Sequence, residues 1–264
     1  MEGFQFKTTI NKALVIVIFL IPFLGTVLAQ SDSTKQVLHF KGAVSLTNNG
    51  FSLVPTFSLG KPALVTIFNV SGKGRLSFEP EFRYSLEFKP WSLIIIWRYK
   101  IVKKEKIQLT LGTHLPALNF VSNTVTKNGV EQEAIQARRF FPVVEVMPTY
   151  VVNKNISLGL YYLYSVGLEK ELTKDNHFVS LQTSFNNIPL TKQYYLRFNP
   201  QLYYLKLDQR DGFYVAGGLT LARQNCPFSL AALTNKAIDS NIAAKDFDWN
   251  ISLVYSFNHH FVRQ

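Results

Sequence analysis

The chain is dominated by an apolar–polar alternation with a period of two residues. Trp249, Ile251, Leu253, Tyr255 and Phe257 are separated by Asn250, Ser252, Val254 and Ser256. Ile156, Leu158, Leu160, Tyr162 and Tyr164 form a second such row, Leu196, Phe198, Pro200, Leu202 and Tyr204 a third, and Leu76, Phe78, Pro80, Phe82 and Tyr84 a fourth. Side chains along a strand point alternately to opposite faces, so each row predicts a strand with one greasy and one wet face. Twelve strands can be drawn, over residues 36–47, 62–70, 75–87, 91–102, 105–116, 139–152, 155–166, 176–185, 193–206, 212–222, 227–235 and 247–257. The longest strictly apolar run beyond residue 29 is Leu93 to Trp97, five residues. A membrane-spanning helix needs roughly 18.

A soluble β-sandwich shows the same alternation. Three features favour an all-β transmembrane antiparallel barrel instead: large apolar faces with aromatic ends, charges on the opposite faces, and turns that alternate in length. An even strand number places both chain ends in the periplasm. The periplasmic turns are then 71–74, 103–104, 153–154, 186–192 and 223–226, all short. The outward connections 48–61, 88–90, 117–138, 167–175, 207–211 and 236–246 include every long one. Asn48-Asn49-Gly50 is a hairpin signal, and a strand over 51–59 would make a thirteenth. Parity argues against it, so residues 50–61 are expected to form an ordered loop, with the lumen as a place to fold. Lys127-Asn128-Gly129-Val130 is a further hairpin signal, which would join 105–126 and 130–152 into one long hairpin.

Composition adds location. Only 17% of residues are charged and 14% are aromatic, against roughly 25% charged in soluble domains. The apolar run from Ala13 to Leu24 follows Lys7 and Lys12 and precedes Val27-Leu28-Ala29. That is the pattern of a signal peptide over residues 1–29, cut before Gln30, with the barrel in 30–264. Removing it lowers the formal charge from +11 to +10, so the basic excess belongs to the exported chain. The single cysteine, Cys226, excludes an intrachain disulfide and a Cys-based zinc module.

The segments Thr47-Asn48-Asn49-Gly50, Phe57-Ser58-Leu59-Gly60-Lys61-Pro62, Phe78-Glu79-Pro80-Glu81-Phe82-Arg83 and the ending Asp246 to Phe257 resemble the outer-membrane β-barrel proteins of the Bacteroidota. The likeness runs over the whole exported chain. It implies fold and location and brings no catalytic residues.

The wet faces would line a lumen with Lys41, Glu79, Glu81, Arg83, Arg98, Lys100, Glu145 and Arg197, together with His39 and Arg139. A hairpin register summing to 179 would set Glu79 opposite Lys100 and Glu81 opposite Arg98. Such pairs are worth roughly 0.2–1 kcal/mol. Two readings stay open: a salt-bridged, filled interior, or a narrow channel whose basic residues favour anions. Bulky inward groups (Tyr161, Leu163, Tyr195, Tyr203, Phe141 and Met147) favour filling.

The alternative is a barrel acyl hydrolase of the phospholipase or deacylase kind. Its candidate base is His177, facing lipid near the outer rim, but the same-face neighbour is Val179 and Ser180 points inward. No Ser–His pair has the right spacing. Adjacent His259 and His260 point apart on an extended segment, with no carboxylate or Cys close by, so no metal is expected. No cofactor or nucleic-acid motif is present. The expected partners are outer-membrane lipid, lipopolysaccharide phosphates at rim residues Lys127, Arg138 and Lys170, and the barrel assembly machinery.

Overall fold

The computed structural model describes residues 37–127 and 130–262; the proposed signal peptide lies outside them. Twelve strands form: β1 Val37–Thr47, β2 Ala63–Ser71, β3 Leu76–Ser85 and β4 Pro90–Lys103. Then come β5 Ile107–Lys127, β6 Val130–Asn153, β7 Ile156–Gly167 and β8 Asn176–Pro189. The last four are β9 Tyr194–Leu207, β10 Arg210–Arg223, β11 Phe228–Ser240 and β12 Phe247–Val262. Each pairs with its sequence neighbour, and β1 meets β12 to close the barrel. No helix in the described residues is long and apolar enough to cross a membrane.

The alternation decides which face is which. On β12, Trp249, Ile251, Leu253 and Tyr255 are exposed on the outside while Ser252 is only 9% exposed within. The outward row continues around the barrel through Leu38, Leu76, Leu158, Leu181, Leu202, Val215 and Leu230. An apolar belt of this extent is a surface that hydrocarbon, not water, would cover. The short connections 72–75, 104–106, 154–155, 190–193 and 224–227 share one end, and Cys226 is exposed in the last of them. The longer ones, 48–62 and 168–175 among them, share the other.

Three details bear on the sequence expectations. First, residues 117–138, drawn as a connection, are strand for most of their length, as the hairpin signal at Lys127–Val130 indicated. Beyond Asn119 and Phe140, β5 and β6 pair only with each other, up to Lys127 and Val130. This free ribbon is about 30 Å long at the usual rise per residue. Lys89 in the β3–β4 turn holds it through Glu133, Nζ to Oε2 2.6 Å.

Second, the β3–β4 register sums to 175, so Glu79 faces Ile96, Glu81 faces Ile94 and Arg98 faces Ser77. The turn spans residues 86–89, with Phe88 in the left-handed region at φ 59° and an irregularity between Arg83 and Tyr84. Third, a slip between Phe140 and Val143 in the β6–β7 ladder inverts the facing there. Pro142 lies within it, and proline has no N–H to give a ladder. Phe140 is buried inside and Phe141 lies exposed outside, where an inward Phe141 was expected. Arg139 leaves the wall for the rim, bonding Glu169 at 2.6 Å.

Candidate functional site

The lumen holds an ionic hub on the β3–β7 wall. Glu79, Glu81 and Arg83 alternate inward on β3, and Arg98 projects from β4. Arg98 bonds Glu79 across the hairpin and Glu145 on β6. The Glu145 side chain is 0% exposed. It also accepts from Tyr161 Oη at 2.8 Å and meets His114 Nε2 at 3.1 Å. The register places Gly112 opposite Glu145, and a Cβ there would collide with the carboxylate oxygen Oε1. The missing side chain is what makes room for the carboxylate. Glu81 pairs with Arg83 on its own strand, whose guanidinium lies 5.0 Å over the Trp91 ring. A buried carboxylate is tolerable only when its oxygens are bonded and its charge is matched, which is what this hub does.

The long-loop half of the lumen is filled by the connection 48–62, which folds inward around a 3-10 turn at Pro55–Phe57. The Gly50 carbonyl accepts from Leu59 N at 2.7 Å and Gly60 N at 3.1 Å, giving the loop its own frame. Leu53 and Val54 pack on a cluster containing Phe178, Tyr203, Leu205, Leu207 and Tyr214. Phe57 packs on Ala117, Phe140 and Val143. Tyr203 Oη donates to the Leu53 carbonyl at 3.0 Å, and Trp91 Nε1 to the Phe57 carbonyl at 2.6 Å. This loop is a stopper seated by apolar packing as well as hydrogen bonds.

Beneath the stopper lies a cavity of about 660 Å³, bordered by Val65, Ile94, Leu233 and Ser252 as well as by Arg83 and Arg98. Toward the short-turn end the interior opens, and inward-facing Ile67 is 43% exposed. Three cations stand on the inner face there. Lys41 lies across from Asn69, Lys100 from Thr110, and Arg197 from Thr220. All three are exposed, and none makes an ion pair among the described residues. Arg197 donates to Tyr195 Oη at 3.0 Å. The structure thus splits the eight charged residues of the sequence analysis. Five join the hub and three form a basic mouth. Sequence spacing missed His114, which the 3-D fold brings to Glu145 across 31 residues.

His177 faces outward near the long-loop end. Its Nδ1 meets Tyr162 Oη at 2.8 Å and its Nε2 meets Asp175 Oδ1 at 2.8 Å. Lys206 and His177 hold the Asp175 carboxyl below its usual range, Lys206 most strongly. Ser180 points inward and donates to Gln201 at 2.9 Å. Both nitrogens of His177 are engaged, and no serine pairs with a histidine among the described residues. No group of three or more His, Cys, Asp or Glu that could hold a metal occurs among them either.

Comparison with solved structures finds similar barrels at very low identity. The KdgM porin superposes with a TM-score of 0.50 at 8% identity, over 83% of this chain and 99% of that one. The same porin in complex with disordered oligogalacturonate gives 0.49 at 8% identity, over 83% and 99%. The β domain of the Bordetella autotransporter BrkA gives 0.40 at 9% identity, over 85% and 100%. No protein-family model matches the chain, and no curated protein matches it.

Proposed function

We propose that this protein is a non-catalytic outer-membrane barrel forming a narrow, anion-preferring pore, stoppered at its outer end by its own first loop. The outward apolar belt and the fold shared with an outer-membrane porin support the location. The short turns then face the periplasm and the β5–β6 ribbon the exterior. The observation that carries the pore reading is the trio Lys41, Lys100 and Arg197, without an ion pair among the described residues, at an open mouth below the stopper. Unmatched cations in a low-dielectric wall favour anion entry. The surrounding lipid would include lipopolysaccharide, whose phosphates Arg138 and Lys170 at the rim can meet, and insertion would use the barrel assembly machinery.

Planar-bilayer recording tests this reading. Wild-type protein should give small conductance steps with an anion-selective reversal potential under a KCl gradient. Deleting residues 51–59 should enlarge the steps. Protein that is folded yet silent in both forms would sink the pore and leave a purely structural barrel.

A further inference from the structure

We infer that His39 and His260 form a two-imidazole site for a late first-row divalent metal ion, Cu²⁺ above the others, at the seam that closes the barrel. The two residues lie 221 positions apart, on β1 and β12, and their Nδ1 atoms approach to 2.6 Å. Their rings stand edge to face, centroids 4.7 Å apart. The Asn48 amide bonds the Ile251 carbonyl farther up the same seam, so β1 and β12 run side by side in a register that sets His39 against His260.

The facing separates this pair from His259. Alternation turns His259 outward, where its ring lies 5.9 Å from Phe257 and 6.4 Å from Phe261 in the aromatic belt. His260 turns inward with His39, so the adjacent histidines do point apart. The missing ligand comes from the other end of the chain, which no local spacing could show.

Neutral imidazole is the commonest protein ligand for such ions. The two Nδ1 atoms already converge; in the free pair one carries the proton and donates to the other. In the tetragonal geometry of Cu²⁺, cis nitrogens at bonds of about 2.0 Å lie about 2.8 Å apart. An opening of about 0.2 Å between the two rings meets that need. On binding, the donor ring's proton moves through solvent from its Nδ1 to its Nε2, so both rings stay neutral and both Nδ1 atoms present lone pairs. Water fills the remaining positions, and the Irving–Williams order puts Cu²⁺ first. His260 is exposed and His39 half-buried, so the pair is open on the His260 side, which gives an entry path. The site is independent of whether the lumen conducts.

The test uses full-length protein without a polyhistidine tag, in detergent, with CuCl₂ as the probe. Electron paramagnetic resonance and electron spin-echo modulation should show one copper held by two imidazoles. H39A and H260A should each leave one imidazole and weaken binding beyond the ~10–100-fold cost of losing a mere outer-sphere partner. H259A should bind like wild type. Heat-modifiability on unboiled gels shows that each variant is folded. In case a variant does not fold, wild-type protein carries a second readout: Cu²⁺ should raise its unfolding temperature, because the metal bridges the closing strands. One imidazole in wild type, equal affinity in H39A, or no thermal shift at saturating copper would each overturn the proposal.

Discussion

The two halves of the lumen use the same kind of wall for opposite ends. In the long-loop half Tyr203, Leu205, Leu207 and Tyr214 are each 1% exposed, and the first loop seals against them. In the short-turn half Lys41, Lys100 and Arg197 stand exposed, with no ion pair among the described residues. The ionic hub around Arg98 and Glu145 lies between. The lesson is that charge by itself does not make a pore lining. Five of the charged residues are consumed by one another; on the proposed pore reading, the three left over are the ones that would act on a solute.

The comparison breaks hardest at the hub. Glu145→Leu strands Arg98 with Glu79 as its only carboxylate, and should cost about 3 kcal/mol, the lower end for breaking a buried pair. Urea unfolding in detergent, followed by tryptophan fluorescence, measures it. Gly112→Ala should cost about 1–3 kcal/mol by driving a methyl into Glu145, read from the same midpoint. Tyr203→Phe removes the hydroxyl whose single proton the Leu53 carbonyl and Asn235 Oδ1 share, at a cost of about 1–2 kcal/mol. Its sharper signature is electrical, since a loosened stopper should raise the mean conductance.

Smaller effects come from the rim and the mouth. Arg139 bonds Glu169 through its side chain and its backbone N–H, and holds that carboxyl below the usual carboxylate range. Its contribution is present above the unfolded value of about 4.5 and is lost as pH falls through the lower folded value. With Arg139 largely in solvent this is worth under ~1 kcal/mol, and salt should reduce it. The check is unfolding between pH 6 and 3 for wild type against Glu169→Gln. Arg197→Glu should leave stability within ~0.5 kcal/mol and shift the reversal potential toward cations. A selectivity that does not move would remove Arg197 from the conduction path.

The strands were legible because alternation reports facing directly. Register was not, for a specific reason. Moving the β3–β4 pairing by four residues, from 179 to 175, keeps every side chain on its own face, so the apolar pattern is blind to it. The turn chemistry decides instead, through Phe88 at positive φ. The pair Phe140-Phe141 gave no cue to its facing, because both residues are aromatic and the slip at Pro142 chooses between them. The β5–β6 ribbon was legible from the turn signal at Lys127–Val130 and not from facing, because it stands clear of the barrel. The basic mouth was visible as charges, but which charges remain free depends on contacts such as His114 to Glu145 that cross strands.

The stopper belongs to the first hairpin, yet its seat is contributed by strands made much later. Leu53 is held by Tyr203, 150 positions on, and Asn49 by Asp248, 199 positions on. Neither anchor exists for the loop until the sheet has curled round and the end of the chain has arrived. The seating of the first loop therefore requires strands from the far end of the chain, so a docked loop reports a completed cylinder.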